Sequence, residues 1–189
     1  MNKLHIGIAM TGSFCTLTAV LDALRPLAEH YDLFPIMSPI AYETNTRFGT
    51  AAHFRERLMG LCGKEIWHTI PQVEPIGPKN LLDALIVAPC TANTLAKLAM
   101  GVADTAVTMA VKSTLRNHKP ILLAISTNDA LSGAAKNIGA LQAARHYYFV
   151  PYGQDDPLAK PRSCIADFSK ISAALESALN GEQIQPILI

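Results

Sequence analysis

The sequence lacks an excess of charge of either sign. Its 16 lysine and arginine residues are balanced by 15 aspartate and glutamate residues, which leaves a formal net charge of +1. Binding to nucleic acid or to an anionic membrane depends on clustered positive charge, so this balance argues against both kinds of partner. The N-terminal MNKLHIGIAMTG lacks the apolar region and cleavage site of a signal peptide, and no uncharged apolar stretch is long enough to span a bilayer. We therefore expect a cytoplasmic protein.

Paired cysteine motifs are also missing. Cys15, Cys62, Cys90 and Cys164 are scattered without CxxC or histidine-paired spacing, which predicts reduced thiols and argues against a zinc site or a disulfide framework. No repeat, low-complexity segment or interdomain linker interrupts the chain. Because 189 residues, half of them hydrophobic, can build one sizeable core, we expect a single domain over residues 1–189.

What the sequence has is an alternation of β-like and helical segments. Apolar runs typical of strands lie at 4–10, 33–37, 85–88, 120–125 and 147–150, and helical periodicity at 14–30, 53–61, 105–117 and 134–145. This alternation predicts an α/β fold built on a doubly wound parallel sheet with helices on both faces. Such a fold is a flavodoxin-like or Rossmann-like three-layer sandwich.

Prolines and small polar residues punctuate this pattern. Pro89 is expected to end the third strand, because proline has no ladder donor, and Pro26 to kink or tighten the end of the first helix. Loss of periodicity predicts a functional loop at 38–49, and three prolines predict largely irregular chain at 67–78. Ser163 is expected to cap the final helix.

The most informative segment is 83–104, where an apolar run stops in a short polar loop that opens a helix. Thr91, Asn93 and Thr94 place hydroxyl and amide groups at the start of this helix. At the carboxyl end of a parallel strand, free backbone N–H groups and the helix dipole favour an anion. An ordinary capped helix after a buried strand has the same spacing, so the pattern alone leaves both interpretations open.

A second candidate binding loop is the turn Thr11-Gly12-Ser13, which lies between the first strand and the first helix. Gly12 allows close backbone approach, and Ser13 can donate to a phosphate, although the turn is not a GxGxxG motif. A plain helix N-cap at Ser13 is the alternative.

The string APCTANTLAKLAMGVAD resembles the APxxANTxAKxAxGxxD motif of the flavin-dependent cysteine decarboxylase superfamily, whose members bind FMN with this loop. Three further blocks, together with the extended block EPIGPKNLLDALIVAPCTANTLAK, carry the resemblance over essentially the whole chain: SPIAYETNTRFG, STNDALSGAAKNIG and VPYGQDDPLAKPRS. In this order the blocks resemble one subgroup, which acts with a second subunit to form a pyridine dicarboxylate in sporulating cells.

This resemblance implies an FMN site and candidate residues for it. Gly12, Ser13 and Phe14 would lie near the phosphate of the cofactor. The remaining cofactor contacts would come from Ser38, Cys90, Thr91, Asn93, Thr94 and Ser126. For Ser38, a strand-end turn is the alternative. No histidine neighbours Cys90, so we expect it to pack beside the flavin ring rather than act as a nucleophile.

Two departures from the superfamily pattern bear on the chemistry. The decarboxylases carry a catalytic histidine just before the central strand, and alignment on LDALIVAP places Pro75 at that position. Proline cannot titrate, so decarboxylation of a cysteine residue is in doubt. The decarboxylases also carry PAMNxxM after the next strand, where this chain keeps Asn128 but neither the proline nor the methionines.

The ligand of the subgroup carries two carboxylates on a planar or nearly planar ring, so a matching pocket needs cations or amides at separated points. We expect these groups to come from Arg47, Asn93, Asn128, Lys160 and Arg162. For the three charged residues, a solvated surface position is the alternative. No catalytic acid or base is assigned, and no metal site is expected.

The resemblance implies oxidation, or dehydration coupled to oxidation, of a dihydro ring dicarboxylate of the lysine pathway. FMN would bind this chain, and NAD(P) would bind a partner subunit that supplies a dinucleotide-binding fold. The superfamily also implies a homo-oligomer, a trimer or a multiple of it. Two alternatives stay open: an FMN-dependent decarboxylase of another small acid, and a noncatalytic partner subunit that has lost flavin.

Overall fold

The centre of the fold is a mixed sheet, which a computed structural model describes within residues 3–189. Its strands are β1 (His5–Met10), β2 (Asp32–Met37), β3 (Ala84–Cys90), β4 (Ile121–Thr127), β5 (Tyr147–Phe149), β6 (Tyr152–Gly153) and β7 (Cys164–Ala166). The strands β2, β1, β3 and β4 lie side by side in that order and are parallel. β5 pairs in parallel with the first half of β4. The predicted doubly wound α/β sheet is confirmed.

The central strands are apolar because helices cover both faces of the sheet. Every residue of β3 is buried, and so is every residue of β1 after His5. Ile8 lies opposite Ile86 in the register of β1 and β3, and Ile86 lies opposite Leu122 in β4. Continuous apolar runs of this kind are typical of parallel strands, which explains why the sequence pattern located them.

The described helices are α1 (Leu17–Leu24), α2 (Leu27–His30), α3 (Pro39–Glu43), α4 (Ala51–Cys62), α5 (Ile70–Val73), α6 (Ile76–Lys79), α7 (Ala92–Ala99), α8 (Ala106–Leu115), α9 (Ala135–Gln142) and α10 (Ile171–Leu179). Two short 3₁₀ helices span Phe14–Thr16 and Phe168–Lys170. On one side of the sheet α1 packs against α4 and α10, and on the other α8 packs against α5, α6 and α7. None of the described helices is long and apolar enough to cross a membrane.

Pro89 does not end the third strand, as the sequence had predicted, but lies inside it. β3 continues to Cys90, and its register against β4 shifts between Val87 and Cys90. This bulge accommodates a residue that cannot donate to the ladder. Pro26 behaves as predicted, since it separates α1 from α2 within the segment expected to be one helix.

Three other local predictions are corrected. The segment 38–49 begins with α3, because Ser38 caps the helix and Pro39 occupies its first position. The segment 67–78 contains α5 and α6, and its prolines lie near the helix starts, where they are tolerated. Ser163 does not cap the final helix. It precedes β7, and Asp167 caps the 3₁₀ turn that leads into α10.

The strands β6 and β7 form an antiparallel extension that the sequence did not predict. β7 pairs with the carboxyl end of β4 through Ser126 and Thr127, and β6 pairs with β7. The connection between β6 and β7, residues 154–163, is thereby held beside the carboxyl end of the parallel sheet.

Candidate functional site

An open cleft of about 890 Å³ lies at the carboxyl ends of β1, β3 and β4. The chain runs from β1 outward to β2 and then returns to β3 on the other side of β1, so the cleft lies at a reversal of strand order. In open α/β sheets this is where ligands bind. The cleft is lined by Gly12, Ser13, Phe14, Cys15, Thr16, Arg47, Phe48, Thr91, Ala92, Asn93, Ser126, Thr127, Asn128, Asp155, Lys160, Ser163, Cys164 and Ile165.

Thr11 is buried next to the cleft, without lining it, and joins the two loops that follow β1 and β3. Its buried hydroxyl donates to the carbonyl oxygen of Pro89 at 2.6 Å and accepts from the backbone N–H of Thr91 at 3.2 Å. At the next position, a Cβ atom on Gly12 would lie 2.9 Å from Cγ2 of Ile40. A larger residue at this position would therefore have to displace the exposed Ile40 side chain, so glycine gives the turn its close approach to α3.

A cluster of three hydroxyl groups lies beside this turn. The Oγ atoms of Ser13 and Ser126 are 2.8 Å apart, and Oγ1 of Thr16 lies 3.1 Å from the first and 3.4 Å from the second. Thr16 also donates to the carbonyl oxygen of Ser13 at 2.9 Å. Because a hydroxyl hydrogen rotates to suit its acceptor, this cluster can turn donors toward an oxyanion in the cleft.

The start of α7 forms the opposite wall. Thr91 caps this helix, accepting from the backbone N–H of Thr94 at 3.4 Å and contacting the hydroxyl of Thr94 at 3.1 Å. These contacts keep the Thr94 side chain buried within the helix start. Asn93 is exposed and lines the cleft, where its amide can both donate and accept.

Two cations line the cleft in different electrostatic settings. The guanidinium of Arg47 lies over the ring of Phe48, 4.8 Å from its centroid, and has no carboxylate partner among residues 3–189. The ammonium of Lys160 lies 2.9 Å from Oδ2 of Asp155. Arg47 is therefore free to bind an anion, whereas Lys160 is already paired.

Asp155 is an ionised carboxylate at neutral pH. The Ser163 side chain beside it and, after that, Lys160 hold its pKa below the usual range of an aspartate. Asp155 in turn raises the pKa of Lys160, so both groups are charged. The connecting segment that carries them is fixed by a hydrogen bond from Nε2 of Gln154 to the carbonyl oxygen of Pro161 at 2.9 Å.

Most of the predicted site residues meet in this cleft. The cofactor candidates that line it are Gly12, Ser13, Phe14, Thr91, Asn93 and Ser126, and the substrate candidates are Arg47, Asn93, Asn128 and Lys160. Four predicted residues lie outside the lining. Ser38 caps α3, accepting from the N–H of Ala41 at 3.4 Å, and Thr94 is buried in the start of α7.

The other two outlying residues are Cys90 and Arg162. Cys90 is completely buried in β3, and this burial raises the pKa of its thiol, so the side chain packs in the core. Arg162 is exposed, and its carbonyl oxygen accepts from the N–H of Leu131 at 3.0 Å. The sequence interpretation in turn missed Asp155 and Thr16, although Asp155 lies in one of the blocks that carried the resemblance.

The parallel sheet, the reversal of strand order and the polar cleft together define an α/β protein of the cofactor-binding class. The Flavoprotein family model matches residues 1–177 of this chain. The chain belongs to the Flavoprotein family.

Comparison with individual proteins gives a more specific similarity than the family match does. The chain is 40% identical over 186 residues to the B subunit of dipicolinate synthase from Bacillus subtilis, covering 98% of this chain and 93% of the relative. A crystal structure of the corresponding B subunit from Bacillus halodurans superposes with a TM-score of 0.90 at 38% identity, covering 100% of this chain and 98% of that one. The FMN-dependent cysteine decarboxylase SpaF, at 23% identity, shares the fold with a TM-score of 0.69, covering 93% of this chain and 97% of that one.

Proposed function

We propose that this chain is the B-type subunit of a dipicolinate synthase and that its cleft holds FMN. Similarity to the B subunits of two dipicolinate synthases over nearly the full chain supports the first part. The observation that carries the second part is the hydroxyl cluster of Ser13, Thr16 and Ser126 at the carboxyl end of the sheet. It offers reorientable donors where members of α/β folds bind phosphate.

The residues of the cleft fit FMN. The hydroxyl cluster and the turn at Gly12 would hold the phosphate, and Asn93 would face the polar edge of the ring with its amide. Phe14 and Phe48 add apolar surface to the same cleft, whose volume of about 890 Å³ suits a cofactor of this size. When bound, FMN supplies a two-electron acceptor. The residues of the cleft would then orient the ligand.

The substrate side of the cleft fits a ring dicarboxylate. Arg47 presents a guanidinium without a carboxylate partner among the described residues, and stacking on Phe48 restrains it. A planar guanidinium in this setting binds a carboxylate in two-point fashion. Asn128 lines the same cleft and offers an amide to a second oxygen. We propose that the chain acts as an oxidoreductase-type subunit on a dihydrodipicolinate-type acid, the product being dipicolinate.

The A-type partner of the same synthase would supply the NAD(P) site, and the chain itself would assemble as a homo-oligomer, a trimer or a multiple of it. Both relatives are named as one subunit of a larger enzyme, which supports the existence of this partner. The four cysteines of the chain are free, in keeping with a reaction in the reducing cytoplasm of sporulating cells.

An absorbance spectrum of the purified protein, alone and after addition of FMN, tests the proposal. We expect bound flavin bands that persist through gel filtration and that bleach when the dihydro acid is added without oxygen. Riboflavin serves as the matched ligand without the phosphate and should be retained more weakly. A protein that keeps no flavin and yet makes dipicolinate with its A-type partner at full rate would contradict the proposal.

A further inference from the structure

The pair formed by Asp155 and Lys160 places a negative charge inside a cleft that is otherwise suited to anions. Both side chains line the cleft, and their charged atoms are 2.9 Å apart. Asp155 is the one carboxylate among the described residues that line the cleft. A ligand carrying only carboxylates would meet an ammonium already paired and a carboxylate that repels it. The pair therefore does not match a bare dicarboxylate.

A ligand group that carries both signs of charge matches the pair better. In a cyclic imino acid, a protonated ring nitrogen stands beside a carboxylate on the neighbouring carbon. Lys160 can donate to that carboxylate while Asp155 accepts from the N–H, so each protein charge meets its opposite. We propose that Asp155 and Lys160 together recognise a carboxylate adjacent to a protonated ring nitrogen, which makes the reduced cyclic imino acid the preferred ligand. This inference rests on the proposed function.

The surroundings of the pair favour this arrangement. The Asp155 side chain is 24% exposed and the Lys160 side chain 57% exposed, so the carboxylate is the more enclosed of the two. Lys160 can therefore rotate toward a ligand while Asp155 keeps its place. The segment is also fixed at its tip, because Oδ1 of Asp156 accepts from the N–H of Ala159 at 2.9 Å. Asp156 belongs to the turn and not to the lining of the cleft.

Arg47 completes the recognition of a ring with two carboxylates. It lies in the same cleft and has no carboxylate partner among the described residues, so it is available for the second carboxylate. Oxidation of the dihydro ring would transfer a hydride from a ring carbon to FMN, the acceptor in the proposed function, and release a second ring hydrogen as a proton. The resulting pyridine nitrogen is less basic and releases its own proton to water at neutral pH. The product then offers Asp155 a lone pair instead of an N–H donor. Weaker binding of the aromatic acid follows, which assists its release.

Calorimetry on the FMN-loaded protein at neutral pH tests the inference with two stable acids. One is cis-piperidine-2,6-dicarboxylate, whose ring nitrogen is protonated, and the other is pyridine-2,6-dicarboxylate, whose nitrogen is not. Because a hydrogen bond to a charged group is lost with the second acid, we expect wild type to bind the piperidine acid about tenfold more tightly. Asp155→Asn should abolish this preference. The matched control is Asp104→Asn, which breaks an aspartate–lysine pair with Lys97 outside the lining of the cleft and should keep the preference. Lys160→Gln should weaken the binding of both acids.

The outcomes separate this inference from the proposed function. Equal affinity of wild type for the two acids, or a loss of equal size for both in Asp155→Asn, overturns the role of the pair and leaves the flavin site standing. If neither acid binds, the role of the pair and the proposed substrate are both wrong, whereas the flavin site, which the absorbance spectrum tests separately, still stands. If Asp155→Glu keeps the preference that Asp155→Asn loses, the carboxylate is responsible for it, which supports the proposed role of Asp155 and Lys160.

Discussion

The hydroxyl oxygens of Ser13 and Ser126 lie 2.8 Å apart, although the residues are separated by 113 positions in the chain. The first belongs to the turn after β1 and the second to the end of β4. β3 lies between these two strands, so the contact crosses its carboxyl end. Folding of the sheet brings these two hydroxyl groups together. We expect the binding of an oxyanion in the cleft to depend on them.

Removal of one hydroxyl tests that dependence. Ser126→Ala should weaken FMN binding by about 1.5–3 kcal/mol, because a hydrogen bond to the charged phosphate is lost. Riboflavin, which has no phosphate, should bind wild type and variant alike. Flavin fluorescence quenching measures both affinities, and Thr18→Ala, an exposed hydroxyl on α1, is the control. If Ser126→Ala weakens riboflavin binding by the same amount, Ser126 contributes to the packing of the cleft and not to phosphate binding.

Arg47 and Arg162 were both predicted to bind substrate, and the structure separates them. Arg47 lines the cleft, whereas Arg162 lies outside its lining. Arg47→Gln should therefore weaken binding of a ring dicarboxylate about tenfold or more, through loss of charge-assisted hydrogen bonds. The affinity of Arg47→Lys for the dicarboxylate should lie between those of wild type and Arg47→Gln, since lysine keeps the charge but lacks the planar guanidinium. Arg162→Gln removes the same charge nearby and should have no effect in the same calorimetric titration.

Thr11 should matter to stability as well as to the site. Its hydroxyl serves both the carbonyl oxygen of Pro89 and the N–H of Thr91, and it is buried. Thr11→Val keeps the shape but leaves these two groups unpaired, at a cost of about 1–3 kcal/mol in the free energy of unfolding. Urea denaturation should show a lower midpoint with an unchanged slope. Thr11→Ser restores the hydroxyl and should recover most of the loss; a Ser variant as unstable as Val would point to packing alone.

Sequence reasoning located those parts of the fold that rest on periodicity. The apolar runs at 85–88 and 120–125 are short and are bounded by proline or polar residues, so pattern and length together predict strands there. Residues 85–88 and 121–125 are fully buried. β6 and β7 are only two and three residues long and could not be seen in this way. They form because β4 offers a free edge at Ser126 and Thr127, which is a tertiary circumstance.

The same division applies to the site. Ser13 and Asn93 line the cleft, and their position could be predicted because the loops that follow buried strands meet at one edge of a parallel sheet. Asp155 was missed because only distance shows that it pairs with Lys160 inside the cleft. Cys90, which was predicted to pack beside the flavin ring, is completely buried in β3 and does not line the cleft, and the sequence does not show how deeply a residue at the end of a strand is buried.

The rate at which a maleimide labels Cys15 reports whether the cleft is occupied. It is exposed and lines the cleft, whereas Cys62 and Cys90 are buried and burial raises the pKa of both thiols, that of Cys62 to about 12. Because the thiolate is the reactive form, the buried pair should react with a maleimide only after unfolding. Cys15 should react rapidly in the native protein and be the main labelled site by peptide mass analysis.

Saturating FMN should slow the labelling of Cys15 several-fold if the cofactor occupies the cleft, since the reagent must then compete for the same space. Cys15→Ser supplies the control, because its native protein should lose the rapid phase and keep its flavin affinity. The labelling rate measured with riboflavin at equal occupancy shows how much of the protection comes from the ring and how much from the phosphate. Labelling of Cys15 at the same rate with and without bound FMN would place the cofactor elsewhere on the protein, and the assignment of the hydroxyl cluster to its phosphate would then be wrong.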